Sequence, residues 1–132
     1  MLTEGELFLI ERAGNKLQEQ CHEASKRGGW WTDLATGEPV KITKELVGSK
    51  LMLVVTEVAE AMEGNRKDKM DDHLPHRKMI EVELADAVIR IGDLAGALGL
   101  DLGGAIAEKM RYNANRADHK IENRMKEGGK KV

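Results

Sequence analysis

Apolar residues recur at intervals of three, four and seven along most of the chain, which is the periodicity of amphipathic helices. The apolar face of a first helix consists of Leu7, Ile10, Leu17, Cys21 and Ala24. Gly28 and Gly29 end this helix, because glycine favours helix termination. The following residues, 30–41, form an irregular loop with a turn at 36–39.

A second helix begins after Thr43, whose hydroxyl is a suitable N-cap, and ends at Gly64. Its apolar face consists of Val47, Leu51, Val54, Val58 and Ala61. The polar segment 65–74 is a solvated connection, and Pro75 is expected at the first position of the next helix.

A third helix ends at Gly99, and Asp101 caps a fourth helix that continues to Gly128. The apolar face of the third helix consists of Ile80, Leu84, Val88, Ile91, Ala95 and Leu98. That of the fourth consists of Ile106, Met110, Ala114, Ala117, Ile121 and Met125. Four amphipathic helices with short connections predict an all-α, four-helix bundle-like fold in a single domain, residues 1–132.

Composition and charge argue against nucleic-acid and membrane partners for this chain. Hydrophobic residues make up 41% and charged residues 33%, which is typical of a globular chain, and a net charge of -2 does not indicate nucleic-acid binding. The longest apolar run, 51–55, is too short to span a bilayer, so no membrane partner is expected. A lone cysteine, Cys21, and a start without a secretory pattern favour the cytoplasm.

Two pairs of carboxylates interrupt the apolar sequence of the second and third helices. Glu57 and Glu60 are three residues apart, as are Glu83 and Asp86, so each pair shares one side of its helix. If the two helices face each other, four carboxylates meet, and their repulsion calls for a hard divalent cation. Oxygen ligands favour Mg²⁺, with Mn²⁺ as the alternative, and Mg²⁺ leaves positions for substrate phosphates. The competing interpretation is a set of solvated side chains, with Asp86 paired to Arg90.

The fourth helix and the loop at 30–41 carry candidate substrate-binding residues. A basic face for a polyphosphate consists of Lys109, Asn113, Arg116 and Lys120, spaced by four, three and four. Its alternative is a solvated basic surface near a helix C-terminus. Trp30 or Trp31 is expected to stack on a nucleobase, although a loop tryptophan also commonly closes a core edge or a subunit interface.

The ExxE motif within residues 53–62, followed by the ExxD motif at 83–86, resembles the MazG-like, all-α nucleoside triphosphate pyrophosphohydrolases. The resemblance covers about residues 43–120 and implies a MazG-type fold. The implied magnesium ligands are Glu57, Glu60, Glu83 and Asp86. The residues similar to that family's phosphate-facing positions are Lys109, Asn113 and Arg116.

This resemblance implies hydrolysis of a ribo- or deoxyribonucleoside triphosphate to the monophosphate and pyrophosphate, in nucleotide-pool cleaning. Glu57 or Glu60 would orient or deprotonate the attacking water. A related branch acts on phosphoribosyl-ATP, and that substrate is the first alternative. Members of the family often form dimers or tetramers, so a homodimer or homotetramer is expected.

Two further function classes remain open. Glu19 and His22 form one ExxH motif, but a di-iron carboxylate bundle needs two such motifs on separate helices. A non-enzymatic helical adaptor is the other alternative, since a helical bundle by itself implies no activity. Dependence on magnesium distinguishes these classes from a pyrophosphohydrolase.

Overall fold

The computed structural model describes residues 1–132, and all of its regular secondary structure is helical. The helices are α1 Glu4–Arg27, α2 Lys44–Lys67, α3 Met79–Ala97, α4 Leu102–Asn115 and α5 Ile121–Arg124, with a short 3-10 helix Ala117–His119 before α5. The prediction of an all-α fold is confirmed. None of the helices combines the length and apolar character that crossing a bilayer requires.

The chain forms two compact units. The larger comprises Leu17–Leu100 and therefore contains α2, α3 and the C-terminal part of α1. The smaller comprises Met1–Lys16 and Asp101–Val132, and it contains the start of α1 together with α4 and α5. The expected single domain of residues 1–132 stays a prediction.

The two ends of the first helix lie where the sequence predicts them, although Leu17 and Ala24 of its predicted apolar face are exposed. At its start the Glu6 backbone N–H donates to the Thr3 hydroxyl at 3.1 Å, and the Thr3 N–H donates to the Glu6 carboxylate at 2.7 Å. This reciprocal pair is a capping box, which satisfies two backbone donors that the helix itself leaves open. The helix ends at Arg27, and Gly29 adopts a φ of 81° just beyond it, as the two glycines predicted.

The beginning of α2 was predicted correctly, but its end was not. The Leu46 backbone N–H donates to the Thr43 hydroxyl at 3.1 Å, which confirms Thr43 as the N-cap. The helix passes through Gly64 and ends at Lys67, where Asp68 takes the left-handed C-cap conformation with a φ of 49°. Gly64 is buried, and a Cβ built there would lie 2.8 Å from the Cβ of Met79. This glycine therefore permits the close approach of α3 instead of ending α2.

The connection between α2 and α3 corrects the expected position of Pro75. The third helix begins at Met79, so Pro75 lies in the preceding turn and not at a helix start. The buried Asp71 carboxylate organises that turn by accepting the backbone N–H groups of His73 at 2.9 Å and Leu74 at 2.7 Å. These bonds give the backbone an alternative to the helix.

The predicted fourth helix is interrupted. It ends at Asn115 rather than continuing to Gly128, and the backbone at Arg116 is extended, with φ -71° and ψ 133°. The Asn115 amide donates to the Arg111 carbonyl at 2.9 Å, and the Arg116 guanidinium makes two hydrogen bonds to Asp118. Such short-range side-chain bonds compete with helix continuation. As a result, Lys120 does not lie on a continuous α4 face, which corrects that prediction.

The packing of α2 reverses the expected distribution of apolar and acidic side chains. Within the larger unit α2 and α3 pack extensively, and the buried residues of α2 are Glu57, Ala61 and Gly64. A stripe of apolar residues is at least half exposed: Leu51 54%, Val55 55%, Val58 50% and Met62 67%. The prediction that Leu51 and Val58 are core positions is therefore wrong for the chain alone, because small and acidic residues occupy the buried positions.

We predict that Gly64→Ala destabilises the protein by about 1–3 kcal/mol, because the added methyl group overpacks the contact between α2 and α3. The matched control is Gly48→Ala on the same helix, where a Cβ would meet nothing within 4 Å. Gly48→Ala should stabilise the chain by about 0.5–1 kcal/mol, since alanine favours the helix. The free energy of unfolding is measured in urea, and equal effects of the two substitutions would contradict the close approach at Gly64.

Candidate metal centre

Three predicted metal ligands meet between α2 and α3. Glu57 and Glu60 project from neighbouring turns of α2, and Glu83 projects from α3. One carboxylate oxygen from each lies within 4.8 Å of the other two. Glu57 is buried, Glu83 is half-buried and Glu60 is exposed. These three residues, here called the carboxylate cluster, could hold a metal ion and remain accessible from solvent on the Glu60 side.

Asp86, the fourth predicted ligand, lies on α3 three residues after Glu83 and outside this group of three. It is half-buried. Burial, together with the negative charge of Glu57, raises the pKa of Asp86 above its ordinary value. The Asp86 carboxyl group therefore interacts electrostatically with the cluster, while its role as a metal ligand stays a prediction.

Arg90 provides a positive charge at the cluster. Its Nε donates to Oε1 of Glu57 at 2.6 Å, so the structure pairs Arg90 with Glu57 and not with Asp86 four residues before it. Burial acts to raise the pKa of Glu57, but the hydrogen bonds with Arg90 and Glu83 outweigh it, and the pKa lies below its ordinary value. Glu57 is therefore held in its charged form.

The pKa of Glu83 is shifted in the opposite direction from that of Glu57. Burial, a hydrogen bond with Glu57 and the charge of Glu60 raise the pKa of Glu83 to about 7. The cluster thus retains a proton at pH values where an isolated glutamate is fully ionised. Because a divalent cation would relieve the same repulsion, the set of oxygen donors fits Mg²⁺ or Mn²⁺.

The predicted phosphate-binding residues belong to the smaller unit. Lys109 and Asn113 lie on α4, and Arg116 lies at its C-cap. The Lys109 ammonium is 4.6 Å from the centre of the Tyr112 ring, which is a cation–π contact. Arg116 pairs with Asp118, and the Asn113 side-chain oxygen is buried without a hydrogen-bond partner. Binding of a polyphosphate by these residues stays a prediction.

The two tryptophans occupy different environments. Trp30 is 73% exposed, whereas Trp31 is buried. The Lys50 ammonium lies 4.7 Å from the centre of the Trp31 ring, and Trp31 lines a cavity of about 310 Å³ together with His22. Stacking of either ring on a nucleobase stays a prediction.

Sequence reasoning missed a polar group centred on Asp93 in the larger unit. The Asp93 carboxylate accepts hydrogen bonds from Trp31 Nε1 at 2.8 Å, Ser25 Oγ at 2.8 Å and His22 Nδ1 at 2.9 Å. His22 is therefore a partly buried residue whose ring is hydrogen-bonded to Asp93. A signal was present, because Asp93 interrupts the apolar sequence of α3 seven residues after Asp86.

Comparisons of the chain with protein-family models, with curated proteins and with solved structures find no match. The residues that bear on a function are those of the two acidic motifs, which form the carboxylate cluster, and Arg90, which pairs with Glu57.

The raised pKa of Glu83 predicts a pH-dependent cost to stability in the cation-free protein. The folded-state pKa of about 7 exceeds the ordinary value of 4.5, so the folded state binds the extra proton between these values. The folded protein consequently loses stability relative to the unfolded chain as pH rises through this interval. Glu83→Gln removes the titrating group and with it this loss.

We therefore expect the melting temperature of Glu83→Gln, measured in chelator, to rise relative to that of the parent protein as pH increases from 5 to 8. The matched control is Glu81→Gln, which removes an exposed glutamate two residues away that pairs with Arg77. A constant difference between Glu83→Gln and the parent across this range would show that Glu83 ionises normally.

Proposed function

We propose that the chain is a MazG-like, magnesium-dependent pyrophosphohydrolase that converts a ribo- or deoxyribonucleoside triphosphate to the monophosphate and pyrophosphate. Nucleotide-pool cleaning in the cytoplasm is the proposed role. The observation that carries the proposal is the approach of Glu57, Glu60 and Glu83, from an ExxE and an ExxD motif on two packed helices, within 4.8 Å. The resemblance of these motifs to the MazG-like family supports the choice of reaction.

The chemistry divides between the cation and the side chains of the cluster. A bound Mg²⁺ would neutralise phosphate charge and increase the acidity of a water molecule. Glu60 is the exposed member of the α2 pair, so we assign it the task of orienting and deprotonating that water. Glu57 is buried and held by Arg90, which suits a fixed ligand better than a proton acceptor.

The remaining substrate contacts follow from charge and from ring chemistry. Lys109 and Arg116 would offset the negative charge of the pyrophosphate group, and the Asn113 amide would add a hydrogen bond. A phosphate must compete with Asp118 for Arg116, because that carboxylate already holds the guanidinium. Trp30 or Trp31 supplies the aromatic face for the base.

We propose further that the chain forms a homodimer or homotetramer through the exposed apolar stripe of α2. Its four residues lie at spacings of four, three and four, and therefore share one face of the helix. A continuous apolar face with this exposure is unusual for a monomer and typical of an interface. The residues of the stripe are Leu51, Val55, Val58 and Met62.

Sedimentation equilibrium should give a mass two or four times the 14.6 kDa of the chain. Val55→Asp places a charge in the middle of the stripe and should shift the mass toward the monomer, since burying an unpaired carboxylate is costly. Asn65→Asp, on an exposed residue of α2 beyond the stripe, is the control. A parent protein that sediments as a monomer would contradict the proposed assembly.

The reaction is tested with a panel of ribo- and deoxyribonucleoside triphosphates in Mg²⁺, with and without chelator, scored separately for pyrophosphate and orthophosphate. We expect chelator-sensitive release of pyrophosphate and monophosphate. Glu60→Gln should lower kcat by about two orders of magnitude, the contribution expected of one general base. Helical content should stay unchanged, because Glu60 is exposed.

The matched control is Glu63→Gln, one turn further along α2, where the carboxylate pairs with Lys67 at 2.6 Å outside the cluster. Its turnover should equal that of the parent. Full activity in Glu60→Gln would remove Glu60 from the reaction. Absence of turnover with every triphosphate would redirect the search to phosphoribosyl-ATP and then to the adaptor function.

A further inference from the structure

Arg90 lies outside the acidic motifs and makes direct contact with the carboxylate cluster. Its Nε donates to Glu57 at 2.6 Å, across 33 residues of sequence. This bond uses Nε, one of the three guanidinium nitrogens, and the Arg90 side chain is partly exposed. Arg90 therefore brings a positive charge to the cluster, together with two further nitrogens that can donate hydrogen bonds.

The surroundings of this ion pair are asymmetric. The Glu57 side chain is 10% exposed, whereas the Arg90 side chain is 42% exposed. The guanidinium is planar and rigid, so fixing Nε at Glu57 also fixes the two Nη groups beside the cluster. A solvent-accessible donor pair that is already immobilised loses less conformational entropy when it binds an anion.

We propose that Arg90 binds a phosphate oxygen of the substrate through its Nη groups, while the bond from its Nε to Glu57 anchors the guanidinium beside the cluster. The proposal rests on the proposed function, because it takes the cluster as a cation site and a triphosphate as the substrate. Paired N–H donors on a planar group match the paired oxygens of a phosphate. Arg90 thereby provides a phosphate contact within the larger unit itself.

A role confined to holding Glu57 makes a different prediction. If Arg90 only positions the carboxylate, its loss weakens cation binding, and phosphate binding weakens as a consequence. If Arg90 instead serves as a phosphate contact and burial keeps Glu57 in place, its loss removes a positive charge near the cation and leaves the affinity for Mg²⁺ alone unchanged or increased. Phosphate affinity then decreases independently of cation affinity.

Titration calorimetry distinguishes these roles. The affinity for Mg²⁺ alone is measured first, and the affinity for inorganic pyrophosphate is then measured in saturating Mg²⁺. For Arg90→Gln we expect pyrophosphate to bind about 10- to 100-fold more weakly than to the parent, the effect of one charge-assisted hydrogen bond. Its affinity for Mg²⁺ alone should not decrease. The matched control is Arg77→Gln, which removes an exposed arginine paired with Glu81 at 3.0 Å and should alter neither affinity.

Arg90→Lys keeps the charge but not the planar fork, so we expect pyrophosphate affinity between those of the parent and Arg90→Gln. The same measurement on Arg90→Lys carries the test if Arg90→Gln fails to fold, as judged by circular dichroism. There the expected result is weaker pyrophosphate binding with unchanged Mg²⁺ affinity.

Unchanged pyrophosphate affinity, or a parallel loss of Mg²⁺ and pyrophosphate affinity, would overturn the phosphate contact. Either result leaves the proposed function standing, provided that the parent releases pyrophosphate from a triphosphate and Glu60→Gln releases it much more slowly. A parent that neither binds pyrophosphate with Mg²⁺ nor hydrolyses any triphosphate would overturn both proposals.

Discussion

Repulsion among the carboxylates of Glu57, Glu60 and Glu83 is the constraint on which the site depends. Three acidic groups within 4.8 Å are stable only if positive charge or protons offset their charge. In the chain alone Arg90 supplies part of that charge, and the raised pKa of Glu83 supplies a proton near neutral pH. A divalent cation would replace the proton, which links the electrostatics of the fold to the proposed chemistry.

The position of these carboxylates coincides with an unusual packing of α2. The buried positions of α2 hold one acidic residue and two small ones, so no large apolar side chain of α2 is buried in the chain alone. The apolar stripe of α2 consequently remains exposed, and association with a second copy is proposed to cover it. The carboxylate cluster thus lies between α2 and α3, whereas the apolar stripe of α2 is exposed.

The parts of the fold that the sequence predicted are those determined locally. The Thr43 cap and the three-residue spacing of Glu57 and Glu60 depend on neighbours along one helix, and both follow from helix geometry. Gly64 could not be interpreted in this way, because its role depends on Met79 of the facing helix. The bond between Arg90 and Glu57 was missed for the same reason, since the two residues are 33 positions apart.

The most direct test of the central claim is a crystal of the protein soaked in Mn²⁺ and measured at the manganese absorption edge. We expect an anomalous peak within about 2.5 Å of oxygen atoms from Glu57, Glu60 and Glu83, the range for hard cations bound by carboxylates. The peak should be absent from Glu60→Gln crystals or much weaker in them. No peak at the cluster of the parent, at a Mn²⁺ concentration that saturates the protein in solution, would contradict the account.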